Sequence, residues 1–341
     1  MVLRSPIRCP YCAKLAVVLS RDHIFPVFLG GHRKIPCCGG SDNCNSKFGH
    51  TFEAGAAKYL QTLHVFISSW GLPLRSVSPI WVAAYSHDGK PYDLEVGETG
   101  VRPILSSSSP HIQWDEKGKI ASREFRTQRE AELFAKHLLK NGKAKRVEIV
   151  AVSPPEIDMA GLGMELQLGP DIKRLALKIS VAAATLLPHF TSESVFLARQ
   201  YLTGARSAGY IVDVVLPAYD TFNELDSIRD SLCHLVYTVR ARGDIWAVVQ
   251  FFGVVQLYCR LGAYDASVPE AAILGTFDPV TGRENFSDAP IIQIPVPPFS
   301  IPAEIYASKL SQWLAKFRAE ALSRGATHPP DLSIQSIRVE R

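Results

Sequence analysis

The sequence predicts an α+β fold in two unequal parts: a small metal-clasped module over residues 1–70 and a mixed α+β body over residues 71–341, with a possible subdivision near 155–170. Three observations lead there. Five of the seven cysteines (Cys9, Cys12, Cys37, Cys38 and Cys44) fall within the first 44 residues. Residues 1–70 carry eight Lys/Arg against three Asp/Glu, an excess of five, while the rest carries 29 against 30, so the net charge of +4 belongs to the N-terminal part. Beyond Trp70, strand-like runs alternate with helical periodicities, with no repeat, P-loop, dinucleotide fingerprint or serine nucleophile elbow. At 47% hydrophobic and 21% charged, the composition excludes a disordered, collagen-like or coiled-coil chain. The most apolar stretches, Ile179–Leu187 and Ile245–Cys259, are broken by polar residues and glycine, so no membrane span is expected. The start M-V-L-R-S-P lacks the apolar core of a signal peptide, and a cytoplasmic location is expected.

The first element is the C-P-Y-C knuckle of Cys9 and Cys12, whose spacing lets two thiolates close on one Zn²⁺. A strand over Lys14–Leu19 then delivers Asp22 and His23 at its end, where successive side chains point opposite ways. The second half of a structural Cys₄ zinc site is Cys44 with Cys37 or Cys38. Cys38 is preferred, because Gly39 and Gly40 free the chain to turn behind it. A helix begins near Asp42–Cys44 with Ser41 or Asp42 as cap, and Phe48, Phe52, Ala56, Leu60 and Leu63 form its apolar stripe. Asn45 falls in its first turn, beside the positive helix end. At about 100° per residue His50 lies about 140° around from Asn45, and Glu53 lies about 12 Å further along. Both therefore rank behind Asn45 as phosphate-contacting or structural residues. His32, Arg33, Lys34, Lys47 and His50 are the candidate contacts to a polyanion. Cys233 and Cys259 sit in apolar runs and are expected in the core.

Taken in order, D-H-I-F-P (Asp22–Pro26), G-G (Gly30–Gly31) and C-N-S-K-F-G (Cys44–Gly49), bracketed by the cysteine pairs, resemble the HNH nuclease superfamily over residues 9–53. The resemblance implies a ββα-metal module and a metal-dependent endonuclease. It also implies DNA rather than RNA as substrate, and a setting in restriction, phage defence or mobile elements. It assigns His23 as general base and Asp22 and Asn45 as ligands of a catalytic Mg²⁺ or Mn²⁺. The chemistry agrees, since an imidazole titrates near neutrality and carboxylate and amide oxygens suit hard cations. The sequence departs from the family pattern twice. Five residues separate Cys38 from Cys44, with Ser41 where a cysteine is usual, and no Asn lies between Gly31 and Cys37, where His32 is the nearest candidate. The alternative function, from another class, is a catalytically silent zinc-stabilised nucleic-acid-binding or assembly subunit.

In the body, strands are expected over Trp81–Tyr85 and Tyr92–Val96 about a His87–Lys90 turn, and a polar loop over Ser106–Pro110. Thr127 opens a capping box for a helix running to Leu139, stopped by Asn141-Gly142, and Val147–Val152 is read as a strand completing a βαβ-like piece. A helix from Asp171 turns Ile172, Leu175, Ala176 and Ile179 inward and puts Arg174 and Lys178 on a shared, solvated polar face. A helix over Glu193–Leu202 and a strand over Tyr210–Leu216 follow. Leu232–Val239 and Asp244–Leu261 read as long paired strands about an Ala241-Arg242-Gly243 turn, and Ala303–Leu322 as a final amphipathic helix. The body could mediate homodimerisation or dock a partner protein.

Overall fold

The computed structural model describes residues 7–40, 43–69, 72, 80–85, 91–97, 100–105, 112–114, 116–117, 120–123, 125, 128–144, 146–150, 169–204, 212–215, 232–253, 255–292 and 315–326. Both helices and sheets are present, as the α+β expectation requires. Strands β1 (Ile7–Arg8) and β2 (Leu15–Ala16) flank the knuckle, and β3 (Leu19–His23) pairs antiparallel with β4 (Lys34–Cys38). The expected strand over Lys14–Leu19 is therefore split at Val17–Val18, and Asp22 and His23 lie within the second strand rather than beyond its end. Helix α1 (Cys44–Phe48) is capped by Asn43, whose Oδ1 accepts the Ser46 N–H at 2.7 Å, in place of the expected Ser41 or Asp42. Through a π-helical turn, Gly49–Glu53, the helix continues into α2 (Ala54–Ser69). The expected stripe of Phe48, Phe52, Ala56, Leu60 and Leu63 is buried along this length.

Against α2 lies an antiparallel meander of β5 (Ile80–Tyr85), β6 (Pro91–Gly97) and β7 (Gly100–Leu105), followed by the pair β8 (Ile112–Trp114) and β9 (Ile120–Arg123). Helix α3 (Gln128–Lys140) ends as expected at Asn141-Gly142. Gly142, at φ 63°, donates to Leu139 O and Lys143 to Leu138 O, the paired bonds that close a helix end. Residues 146–150 form no strand, and Ile149 and Val150 are exposed, so the βαβ-like reading is corrected: an apolar run becomes a strand only when a partner edge is present. The expected turn at His87–Lys90, the loop at Ser106–Pro110, the cap Thr127 and the boundary at 155–168 lie outside the described residues.

The body centres on a six-stranded antiparallel sheet, formed by β10 (Val212–Val215), β11 (His234–Ala241), β12 (Asp244–Phe251), β13 (Val255–Ala263), β14 (Ala271–Asp278) and β15 (Arg283–Asp288). Its spatial order is β10-β13-β12-β11-β14-β15. The β11–β12 hairpin turns on Arg242 and Gly243, both at positive φ, with Ala241 opposite Asp244: the two-residue turn that matches strand twist. The expected single strand Asp244–Leu261 is in fact two, because Phe252 and Gly253 also take positive φ and reverse the chain. Across one face of the sheet lies α4 (Pro170–Ala184), started by Pro170 in its first turn and buried from Leu175 to Ala184 on every side. Helix α5 (Phe196–Leu202) packs on β13. The expected C-terminal helix is seen over residues 315–323, with Phe317 and Ala321 buried. One core runs from Cys9, Phe25 and Phe52 through α4 to Val249 and Phe277, so the N-terminal unit and the sheet share their interior. Among the described residues no helix is long and apolar enough to cross a membrane.

Candidate metal centre and hairpin site

Cys9, Cys12, Cys38 and Cys44 place their sulfurs within 4.8 Å of one another. The knuckle turn is set by Cys9 N–H to Lys14 O and Ala13 N–H to Cys9 O, and the second pair spans the end of β4 and the start of α1. A tetrahedral Zn²⁺ with bonds of about 2.3 Å sets its sulfurs about 3.8 Å apart. Cys9 to Cys44 is 4.0 Å and Cys12 to Cys38 is 3.9 Å, so this donor set fits zinc. The contact between Cys9 and Cys44 draws the Cys9 thiol down to about 5 and pushes the Cys44 thiol up, so the two sulfurs share one proton. The Cys44 N–H also points at Cys38 Sγ, 3.3 Å away, a bond that orients the sulfur. Cys38 rather than Cys37 is thus the third member. Alternation along β4 turns Cys37 into the core, where burial pushes its thiol up to about 12.

Between the cysteine pairs the hairpin is closed by a loop whose sequence has physical reasons. A 3₁₀ turn over Val27–Leu29 ends at Gly30, in the left-handed region at φ 96°. A side chain at Gly31 would collide with the Phe25 carbonyl, so the pair G-G is required for this loop to close on β3. The Ile24 N–H then meets Arg33 O at 2.9 Å and extends the ladder. The loop is docked on the body. The His32 and Arg33 N–H groups both donate to Glu284 Oε2, each at 2.6 Å. The His32 ring stands edge-on to Phe277, and the Arg33 guanidinium lies 5.3 Å over Phe286. All five expected substrate contacts, His32, Arg33, Lys34, Lys47 and His50, are exposed, and His32 and Arg33 are in addition tied to β14 and β15.

On the inner face of β3, Asp22 is 2% exposed and both its oxygens are engaged. Tyr11 of the knuckle donates to Oδ2 at 2.7 Å, and Lys178 of α4 donates to Oδ1 at 2.8 Å. Lys178 also meets Glu53 Oε1 at 2.5 Å. Burial works against the ammonium, but Glu53 and Asp22 outweigh it and hold Lys178 above its ordinary value. Burial raises Glu53, with Lys178 opposing, as expected where two carboxylates share one cation. Two expectations are corrected here. Lys178 faces the interior rather than solvent, and Asp22 as arranged offers no free oxygen to a catalytic Mg²⁺ or Mn²⁺, which makes a poor fit to that role. Glu53, set aside for its distance along the helix from Asn45, meets the Lys178 ammonium that also holds Asp22.

On the outer face, His23 is half-buried, paired across the ladder with Lys34, and shares its side of β3 with exposed Arg21. Burial first, then the charge of Lys34, lowers its pKa, which keeps the imidazole neutral and able to accept a proton at neutral pH. Asn45 is brought to the same strand, its Nδ2 donating to Arg21 O at 3.3 Å. Space beside Gly49 is open. The hairpin thus sets Lys34 across from His23, Asn45 is bonded to the backbone of the same strand β3, and Asp22 is turned to the opposite face. Sequence reasoning missed Tyr11, Lys178 and Glu284. The signal for Lys178 was its place in L-A-L-K-I-S-V-A-A-A (Leu175–Ala184), a stretch of α4 with no other charged residue.

Comparisons with family models, with curated proteins and with solved structures each returned no match.

Proposed function

We propose that the chain is an HNH-like endonuclease that hydrolyses a phosphodiester of DNA, with His23 as the base that takes a proton from the attacking water. The observation that carries this reading is the order hairpin, loop, helix around a four-cysteine cluster, with His23 on β3 and Asn45 in the first helical turn bonded back to that strand. It supports the sequence resemblance, which alone favours DNA over RNA. In the proposed step, water oxygen bonds to phosphorus as its proton passes to the imidazole, and the P–O3′ bond breaks. Arg21 and Lys34, exposed beside His23, supply positive charge near the phosphate. A catalytic Mg²⁺ or Mn²⁺ is expected from the resemblance, but Asp22, held by Tyr11 and Lys178, is a poor fit as its ligand. That pairing favours the second reading, a zinc-stabilised nucleic-acid-binding subunit without catalysis. Nicking of supercoiled plasmid by wild type and His23→Ala in Mg²⁺, Mn²⁺ or EDTA separates the two. A fall of about 10²–10⁴-fold in the variant is expected for loss of a general base. Equal rates remove His23 from the mechanism, and binding without cleavage under every condition selects the second reading.

A further inference from the structure

Helix α4 is apolar or small on every side from Leu175 to Ala184, yet Lys178 sits in its middle with 1% of its side chain exposed. A buried ammonium persists only when paired. Here it is paired with carboxylates from two other elements, Asp22 on β3 and Glu53 in the π-helical turn, while Tyr11 of the knuckle takes the second oxygen of Asp22. The contact joins residues 156 positions apart in the chain. π-Helical turns are found disproportionately at functional sites. Nothing in the zinc clasp or the docked loop requires a charge at this place.

We propose that Lys178 is a positioning residue of the candidate nuclease site: its ammonium holds Asp22 inward and thereby fixes the strand end on which His23 stands. Its functional half rests on the nuclease reading above. Asp22 and His23 are successive residues of an extended strand, so a carboxylate pinned on the inner face sets the imidazole on the outer one. Lys178 is too deeply buried to touch phosphate, so its effect falls on the placement of the base and not on DNA affinity. The body thus contributes a residue to a site that the cysteine module does not complete by itself.

The test uses the full-length chain and compares Glu53→Gln with Glu53→Gln/Lys178→Met. The single variant keeps the ammonium on Asp22. The double variant deletes it without leaving two carboxylates facing each other, and Asp22 retains Tyr11. Amide hydrogen exchange along β3–β4, bound zinc and steady-state plasmid nicking are read on both. In the double variant, exchange of the hairpin amides rises roughly tenfold while β11 and β12 keep their protection and zinc is retained. The kcat falls about 100-fold, the usual cost of a misplacement near 1 Å, and KM for DNA is unchanged. Equal hairpin exchange in the two variants, equal kcat, or a raised KM with unchanged kcat overturns the proposal. If the hairpin loosens but wild type cleaves under no condition, the nuclease reading fails and the positioning of β3 by Lys178 stands.

Discussion

The N-terminal hairpin unit and the six-stranded sheet are kept in shape by different forces. In the sheet, β11, β12 and β13 are buried on both faces, mostly through aliphatic and aromatic side chains, with His234, Thr238, Arg240, Gln250 and Gln256 buried among them. Arg240, a buried cation of β11, gives its donors to the carbonyls of Pro188 and Pro269. The hairpin unit has strands of two to five residues, exposes Leu15, Val17 and Val18, and buries charge beneath β3. It is held at three points: the four-cysteine cluster, the Lys178 pairing and the Glu284 clamp on the loop. Burial of apolar area gives a broad, redundant stability, whereas point clamps give a defined geometry that single substitutions undo.

That contrast can be broken most strongly at the cysteines. Cys9→Ser or Cys44→Ser removes a ligand from a site of the kind whose zinc contributes about 10–16 kcal/mol to folding. Both variants should lose their zinc and become open to proteolysis within residues 7–69 while the sheet resists. Zinc retained by both would refute the Cys₄ assignment. A smaller effect comes from acid, where the two regions meet. His64 of α2 and His234 of β11 both pack on Phe252, are fully buried and have no hydrogen-bond partner at either ring nitrogen among the described residues. Burial lowers both, His64 to about 3 and His234 well below its ordinary value, where His64 beside it adds to the effect. The unfolded chain takes up protons below about 6.5 while the folded one does not, so stability is full above that pH and declines as pH falls toward the folded values. Each histidine then costs roughly 2 kcal/mol by pH 5. Denaturant unfolding between pH 7 and 5 should show this slope, flattened in His64→Leu/His234→Leu; an equal slope in the variant removes the histidines from the account. The smallest effect is expected for Glu284→Ala, which deletes a charged acceptor of two N–H groups and should cost about 1.5–3 kcal/mol. It should be visible as faster exchange at His32 and Arg33, and protection unchanged there would mean that the loop holds itself.

Much of the local architecture was legible in the residues. Cys38 could be preferred over Cys37 from the glycines behind it, and the strand period then explains why its neighbour turns inward. The stripe along α1 and α2, the stop at Asn141-Gly142 and the Arg242-Gly243 turn follow from short-range rules that depend on a few adjacent side chains. The split at Phe252-Gly253 escaped because an apolar run carries no mark of where it reverses. The run over residues 147–150 was misread as part of a strand because a strand needs a partner that its own residues do not reveal. Asn45 is bonded to the backbone of the strand that carries His23, while the partners of Asp22 were hidden.

By itself the sequence determined the cysteine clasp, the basic N-terminal charge, the helix after Cys44 and the apolar strands of the body, since each is written in spacing or composition. Only the tertiary structure decided that Asp22 faces an ammonium rather than an open cation site. That outcome depends on α4 arriving beside β3 from far along the chain. Whether a lysine is solvated or buried is set by what packs against it, which no local pattern contains.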